Sequence, residues 1–341
     1  AYPTILSGDI GVQGDSTDNS YTVMTIGPVD SNSIIDGVII EEGNADNENT
    51  ISFISRQACG GGIYMSSSSN VPESRPCIRN CTIRNNYAVN FGGGVFVSNF
   101  NEQYCSPLFE NCLIMNNQSK GDGGGMMILG ANPESSTHIE SCQFEENRSN
   151  LGSGGGLALS FTNKGEDVEI FDCSFKGNYC HQGGGGLYYV FSSETPTLLK
   201  VRQDSFLNNR SGAEGGGILC LNSGFSVSEK TSLEVRSCFF GFNSGAIGGA
   251  INGARSGSYI TNSRFIENSA TTSSGAISAS IVFRLDSSYF FGNYTNQSNG
   301  GGIVSVGGSE FTIKDCEFYD SNSKGNGGTF CFGSGNGIIQ N

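Results

Sequence analysis

A block of glycines followed by an apolar residue recurs along the chain, and no other feature limits the fold as much. It stands at Gly60 to Ile63, Gly92 to Val95, Gly123 to Met126, Gly154 to Leu157, Gly184 to Leu187, Gly215 to Ile218 and Gly300 to Ile303. Degenerate copies begin at Gly248, Gly275 and Gly327. The spacing is 30–33 residues as far as Gly248 and 25–27 beyond it. Self-similarity at such a period is the mark of a solenoid, because one unit cannot bury its own apolar face and a stack of units can.

A second block lies between the glycines. It aligns on Cys81, Cys112, Cys142, Cys173, Asp204, Cys238, Ser263, Ser288 and Cys316. Two residues later come Ile83, Ile114, Phe144, Phe175, Phe206, Phe240, Phe265, Phe290 and Phe318. Five residues after the anchor come Asn86, Asn117, Asn147, Asn178, Asn209, Asn243, Asn268 and Asn293, with Ser321 in the last copy. Three residues before it the side chain is always apolar, from Ile78 and Phe109 to Ile313. The apolar positions alternate with period two, so the block reads as a short strand with one buried face. No window shows helical periodicity, which excludes the helical solenoids. The expected fold is all-β: a single-stranded, right-handed parallel β-helix of about ten to eleven coils. About three short strands are expected per coil, in a stack about 50 Å long. Phe should then stack on Phe and Asn should bond to Asn in buried ladders. The glycines should occupy a corner where a Cβ would clash.

Residues 1–341 are read as one domain. Residues 1–50 lack the glycine triplet but hold a degenerate anchor strand, Ile34 to Ile39, and count as opening coils; residues 51–341 carry the repeats. Variable stretches after the glycine block (Ser66 to Arg75, Leu129 to Ser136, Ser160 to Glu166, Ser192 to Thr197, Leu221 to Lys230) are expected to be loops along one edge. The chain begins at Ala1 with no basic-then-apolar leader, which fits a processed or trimmed secreted product. Its low charge and polar composition suit an extracellular or cell-surface location.

Composition removes several functions. The net charge of −14 opposes sequence-independent nucleic-acid binding, which needs a basic surface. No run of 18 apolar residues spans a bilayer as a helix. With two histidines, His138 and His181, and no Cys-x-x-Cys, zinc is not expected; both histidines read as surface or turn residues. No cofactor is expected. Acidic loops could hold Ca²⁺ weakly, although neither an EF-hand nor a nonapeptide calcium repeat is present.

The twelve cysteines divide in two. Cys81, Cys112, Cys142 and Cys173 occupy inward anchors on successive coils and are expected to form a buried thiol ladder, because parallel side-chain vectors make the disulfide dihedral awkward. Cys77 and Cys105 lie outside that register near the start of neighbouring strands and are the candidate disulfide, with Cys173–Cys180 as a second option.

The paired Gly-Gly-x-Ile and Phe-x-x-Asn motifs (the latter at Phe144–Asn147, Phe175–Asn178, Phe206–Asn209, Phe240–Asn243, Phe265–Asn268 and Phe290–Asn293) resemble the repeats of the polymorphic outer membrane protein family, the surface autotransporter adhesins of chlamydiae. The opening Pro3 to Ile10 resembles the first coils of secreted bacterial β-helix proteins. The likeness covers about residues 1–335 and implies a β-helix with an adhesive role. Nothing resembles an autotransporter's membrane barrel, so translocation and anchoring would reside in sequence outside this chain. No host or receptor is carried over.

An enzyme on the same scaffold would need converging carboxylates. The positions one before, one after and three after the anchor gather none on neighbouring coils. Glu110 with Glu140 is the best carboxylate pair and reads first as solvated bend residues; Asp204, in an inward anchor, is the oddest acid. The outward set Phe239, Tyr289, Phe291 and Tyr319 forms a candidate binding strip, unless shorter loops cover it. Six glycosylation sequons occur. Asn117, Asn147, Asn209 and Asn293 are ladder residues, which leaves Asn80 and Asn296 as candidate acceptors in a eukaryotic host.

Three functions compete. The first is a structural or adhesive surface rod with a protein or glycan partner. The second is a polysaccharide lyase or glycoside hydrolase. The third is a module that assembles with like or unlike chains through the β-helix ends.

Overall fold

The computed structural model describes residues 3–50, 52–66, 73–99, 104–130, 138–161, 167–192, 198–223, 231–254, 257–296, 303–308, 310–323, 328–333 and 335–341. Four long sheets run the length of the molecule, three of eleven strands and one of ten. Every pairing joins a strand to its equivalent one coil away, and among the described residues the pairings are parallel. This is a right-handed parallel β-helix of eleven coils.

Each coil has four strands where three were expected. One coil shows the path. Leu108–Glu110 belongs to what we call the lead sheet, Leu113–Met115 to the anchor sheet, Gln118–Ser119 to the short sheet and Met126–Gly130 to the glycine sheet. The short sheet supplies the extra strand. Its strands are mostly two residues long, too short to display a period, and they hide between the Asn and the glycines.

Two of the corners are single residues. The residue before each anchor (Asn80, Asn111, Ser141, Asp172, Gln203, Ser237, Asn262, Ser287, Asp315) has φ between 47° and 62°. The residue before each ladder Asn is left-handed too, with φ between 50° and 66°, among them Asn85 (φ 54°), Asn116 (52°) and Glu146 (52°). The left-handed region turns the chain in one step, and short polar side chains tolerate it best. The position before the anchor is therefore a corner, not the outward strand residue it was read as. Corner side chains also bond to one another up the stack. Asn111 Nδ2 donates to Asn80 Oδ1 (2.7 Å), and Asn80 Nδ2 donates to Asp36 Oδ1 (2.7 Å).

The core lies inside the four sheets. Rings of Phe144, Phe175, Phe206, Phe240, Phe265, Phe290 and Phe318 stack with centroids 4.4–4.9 Å apart and planes within 11° of parallel. The Asn ladder is continuous from Asn86 to Asn293. Asn178 is typical. Its Nδ2 donates to Asn209 Oδ1 (2.9 Å) and to Phe144 O (2.8 Å). Its Oδ1 accepts from the backbone N–H (3.0 Å) and Nδ2 (3.1 Å) of Asn147. One amide thus ties three coils together.

The glycine triplet makes room for this ladder. Gly154 has φ +68°, and a Cβ on Gly155 would run into the backbone carbonyls of Gly185 and Tyr179. A Cβ on Gly156 would press on Asn178 of the following coil. The two repeated motifs are one packing unit seen from two coils.

The variable stretches connect the glycine sheet to the lead sheet. Their inner parts, residues 67–72, 131–137, 162–166, 193–197 and 224–230, lie outside the described residues. Among the described residues no helix is long and apolar enough to cross a membrane, which says nothing of a β-barrel.

Replacing Asn178 with Ala orphans buried donors and acceptors on both neighbouring coils. We expect a loss of about 3–5 kcal/mol in urea unfolding, against less than about 0.5 kcal/mol for Ala at exposed Gln143.

Candidate binding surface

Outward side chains of the anchor sheet fall in two columns. Phe239, Arg264, Tyr289 and Glu317 follow one another in strict register, as do Gly241, Ile266, Phe291 and Tyr319. The four aromatics of the expected strip are therefore brought onto one flat face over four coils. The Tyr289 and Tyr319 rings lie 5.7 Å apart, and the Arg264 guanidinium sits 5.6 Å from the Tyr289 centroid. Tyr319 is 51% exposed; Phe239, Tyr289 and Phe291 are half-buried by each other and by Ile266 and Leu207. Gly241 leaves room for the Phe239 ring, which a Cβ there would strike. The corners bordering this face are single residues, and Phe242, 48% exposed, extends the apolar rim. The variable connections run from the glycine sheet to the lead sheet, so none of them begins or ends on the anchor sheet.

The lead sheet carries charge instead. Positions two and four before the anchor point outward, and these hold Arg79, Glu110, Glu140, Phe171, Arg202, Arg236, Thr261 and Asp286 in one column and Leu108, His138, Glu169, Lys200, Glu234, Tyr259 and Arg284 in the other. Arg202 bridges Glu169 (3.1 Å) and Glu234 (3.0 Å), and Lys200 reaches Asp167 (2.7 Å). The sequence singled out Glu110, Glu140 and His138 on this face but not the ion pairs around Arg202. Stepping back in twos from the buried residue at minus three would have found the whole face.

Glu110 and Glu140 are direct register neighbours, both exposed, with Leu108 opposite His138 on the same strands. Parallel strands lie about 4.8 Å apart, close to the separation retaining glycosidases use. His181 is exposed in a turn away from them. Among the described residues no three His, Cys, Asp or Glu side chains converge so as to hold a metal ion. A groove of about 500 Å³ at the glycine corner is lined by Glu48, Phe91, Lys120, Asp122, Leu151 and Gln182. Lys120 is paired with Glu48 (2.7 Å). Burial raises the Asp122 carboxyl, whose Oδ1 accepts the Ser153 N–H (2.6 Å).

The anchor column behaves as expected at its thiols. Cys81, Cys112, Cys142 and Cys173 are free and buried. Each thiol donates to a backbone carbonyl two residues back, at 3.1–3.4 Å. The Cys112 and Cys142 N–H groups donate to the sulfur one coil on. Hydrogen bonding to Cys142, with burial, pushes the Cys112 thiol up to about 12, so it stays unreactive at neutral pH.

The expected Cys77–Cys105 disulfide is not formed. Both thiols are free, and register places Cys77 opposite Leu108 and Cys105 opposite Ser74, three residues out of step. Cys173 and Cys180 are also free, one in the core column and one on the short sheet. Of the candidate glycan acceptors, Asn80 is exposed but its amide is bonded on both sides, whereas Asn296 is exposed just past a short-sheet strand. Asn117, Asn147, Asn209 and Asn293 are at most 1% exposed.

Asp204 takes the place of a thiol. Its Oδ1 accepts the Cys173 N–H (2.6 Å), and its Oδ2 is buried without a partner. Desolvation raises this carboxyl well above the usual range, outweighing the N–H bond that favours the charged form.

The four-faced stack, its inward ladders and its two contrasting outer faces define a solenoid of the parallel β-helix class. The chain matches the family described as the right-handed β-helix region over residues 17–206, more than half its length, and belongs to that family. No curated protein and no solved structure matches it.

Two outcomes follow from the anchor column. A group whose folded-state pKa is raised contributes stability below its unfolded value, about 4, and that contribution is lost as pH rises toward the folded value. Asp204→Asn stays neutral throughout. Its stability should hold between pH 4 and 8 where the wild type falls, leaving the variant ahead at pH 8 by roughly 1–3 kcal/mol in urea titrations. For the thiols, intact-mass spectrometry after alkylation in denaturant without reductant should show twelve labelled cysteines. A shortfall of two would restore a disulfide.

Proposed function

We propose that the protein is a non-catalytic, extracellular or cell-surface β-helix rod that binds a protein or glycan partner. The single observation that carries this reading is the aromatic strip Phe239, Tyr289, Phe291 and Tyr319, held open on a flat sheet face. Aromatic side chains supply large contact area at low entropic cost and are rarely left in a row on a surface without a partner. The resemblance of the Gly-Gly-x-Ile and Phe-x-x-Asn repeats to polymorphic outer membrane proteins supports the adhesive role. Fold alone decides nothing here, since function lies in sites grafted on folds.

A carbohydrate-active enzyme is the second reading, and the Glu110–Glu140 register pair favours it. One experiment separates the two. The full chain is incubated with a panel of soluble and insoluble polysaccharides and extracellular-matrix proteins, and both adsorption and new reducing ends are measured. Adsorption without products, weakened about tenfold or more in a Phe239→Ser, Tyr289→Ser, Phe291→Ser variant, is expected. Products that vanish in Glu110→Gln or Glu140→Gln would replace the rod with an enzyme. Adsorption indifferent to the strip variant would remove the strip from the account.

A further inference from the structure

The cations of this acidic chain are unevenly satisfied. On the lead and anchor sheets of the earlier coils they are tied to carboxylates: Arg79 to Asp36 (2.9 Å), Arg84 to Glu41 (2.6 Å), Lys200 to Asp167 (2.7 Å) and Arg202 to Glu169 and Glu234; Arg148 on the short sheet instead bonds to Asn150 and lies over Tyr179. Arg236, Arg264 and Arg284, on three successive coils, are exposed and have no carboxylate partner among the described residues. Arg236 lines a groove of about 390 Å³ together with Glu234, Tyr259, Thr261, Asn262 and Ser287; Arg284 follows Tyr259 in register one coil on, and Arg264 lies across the corner on the anchor sheet. The groove meets the aromatic strip across the Ser237–Asn262–Ser287 corner, where Asn262 Nδ2 donates to Ser237 Oγ (3.0 Å).

Of the acids nearby, Glu234 is bonded to Arg202, while Asp286 accepts the Ser287 hydroxyl (2.8 Å) and keeps its charge, so the three arginines outnumber one unpaired carboxylate. The groups turned outward are mainly cationic and aromatic: Arg236, Arg284 and Tyr259 on one side of the corner, Arg264 against Tyr289 on the other. Coils rise about 4.8 Å each, so three arginines on successive coils span about 10 Å along the stack. A small anion would engage one of them. A polymer with an acidic group on every unit or every second unit could engage all three, with its sugar rings against the tyrosines. Guanidinium forks suit carboxylate and sulfate alike.

We infer that this corner is a binding site for an anionic polysaccharide, whose acidic groups meet Arg236, Arg264 and Arg284 as the chain lies along the coil stack. The inference rests on the non-catalytic reading and names the chemical class of its partner.

The test is calorimetric titration of the full chain with polygalacturonate, dextran sulfate, neutral galactan and polyglutamate. Polygalacturonate or dextran sulfate should bind, whichever binds tighter identifying the acidic group, and affinity should fall with salt. Neutral galactan and polyglutamate should bind at least tenfold more weakly. Each of Arg236→Ala, Arg264→Ala and Arg284→Ala should lose about fivefold, the worth of one exposed charge pair. The triple variant should fall to the galactan level, while Arg210→Ala on the short sheet changes nothing. All four positions are exposed, so melting temperature serves as the folding control. Binding unchanged in the triple variant overturns the inference and leaves the aromatic strip as the contact. Polyglutamate binding as tightly, with the same arginine dependence, overturns it in favour of an acidic protein segment. Release of oligosaccharides would instead overturn the non-catalytic reading.

Discussion

Everything in this molecule depends on equivalent residues lying directly above one another at the spacing of adjacent strands. The Asn amide is the interaction that enforces it. A buried amide with two donors and two acceptor sites is expensive unless all are used, and from Asn117 to Asn268 the coils above and below supply the partners. A slip of one residue would turn Asn out and a polar neighbour in. The Phe rings are indifferent to small displacements along the stack, but the amides are not. Hydrophobic burial therefore favours the stack, while the ladder sets its register.

The inward half of the coil was legible in the sequence for this reason. An interior ladder demands the same residue at every level, so Phe-x-x-Asn and the glycine triplet repeat visibly. What stayed hidden is of two kinds. The corners tolerate Asn, Ser, Asp, Gln, Glu and even Phe242 in left-handed geometry, because the backbone bonds to the next coil and the side chain is free to vary. Their polar column looked like a strand exterior. The short sheet adds a fourth strand without lengthening any pattern, since two residues such as Tyr87–Ala88 carry no period. The Cys77–Cys105 expectation failed on the same ground: without the corner positions, the two thiols could not be placed in register.

The candidate site was legible only in part. The aromatic strip stood out because Phe239, Tyr289, Phe291 and Tyr319 interrupt columns that are otherwise polar or mixed, and a large apolar residue on an outward position is conspicuous once the inward face is known. The lead-sheet ion pairs did not stand out. Ion pairs such as Arg202 with Glu169 and Glu234 join residues 33 and 32 positions apart, a distance that is short only after the coils are stacked. Outer positions answer to no interior partner, so they drift in sequence, and their meaning appears only when columns are read across coils.

That freedom also shapes what such a surface can recognise. The interior forces sameness along the axis, while each outer column can change residue at every level. Recognition on the exterior is thus written as a series of side chains at one fixed spacing. On the anchor sheet the series reads Phe239, Arg264, Tyr289, Glu317, and across the corner it reads Glu234, Tyr259, Arg284. A compact ligand would sample one or two of these steps. An extended, repeating ligand lying parallel to the axis can sample them all, and many weak contacts then add without any deep pocket. The grooves found on this surface are shallow for the same reason. A wall built from side chains that stand perpendicular to a flat sheet cannot enclose a ligand, so affinity must come from length.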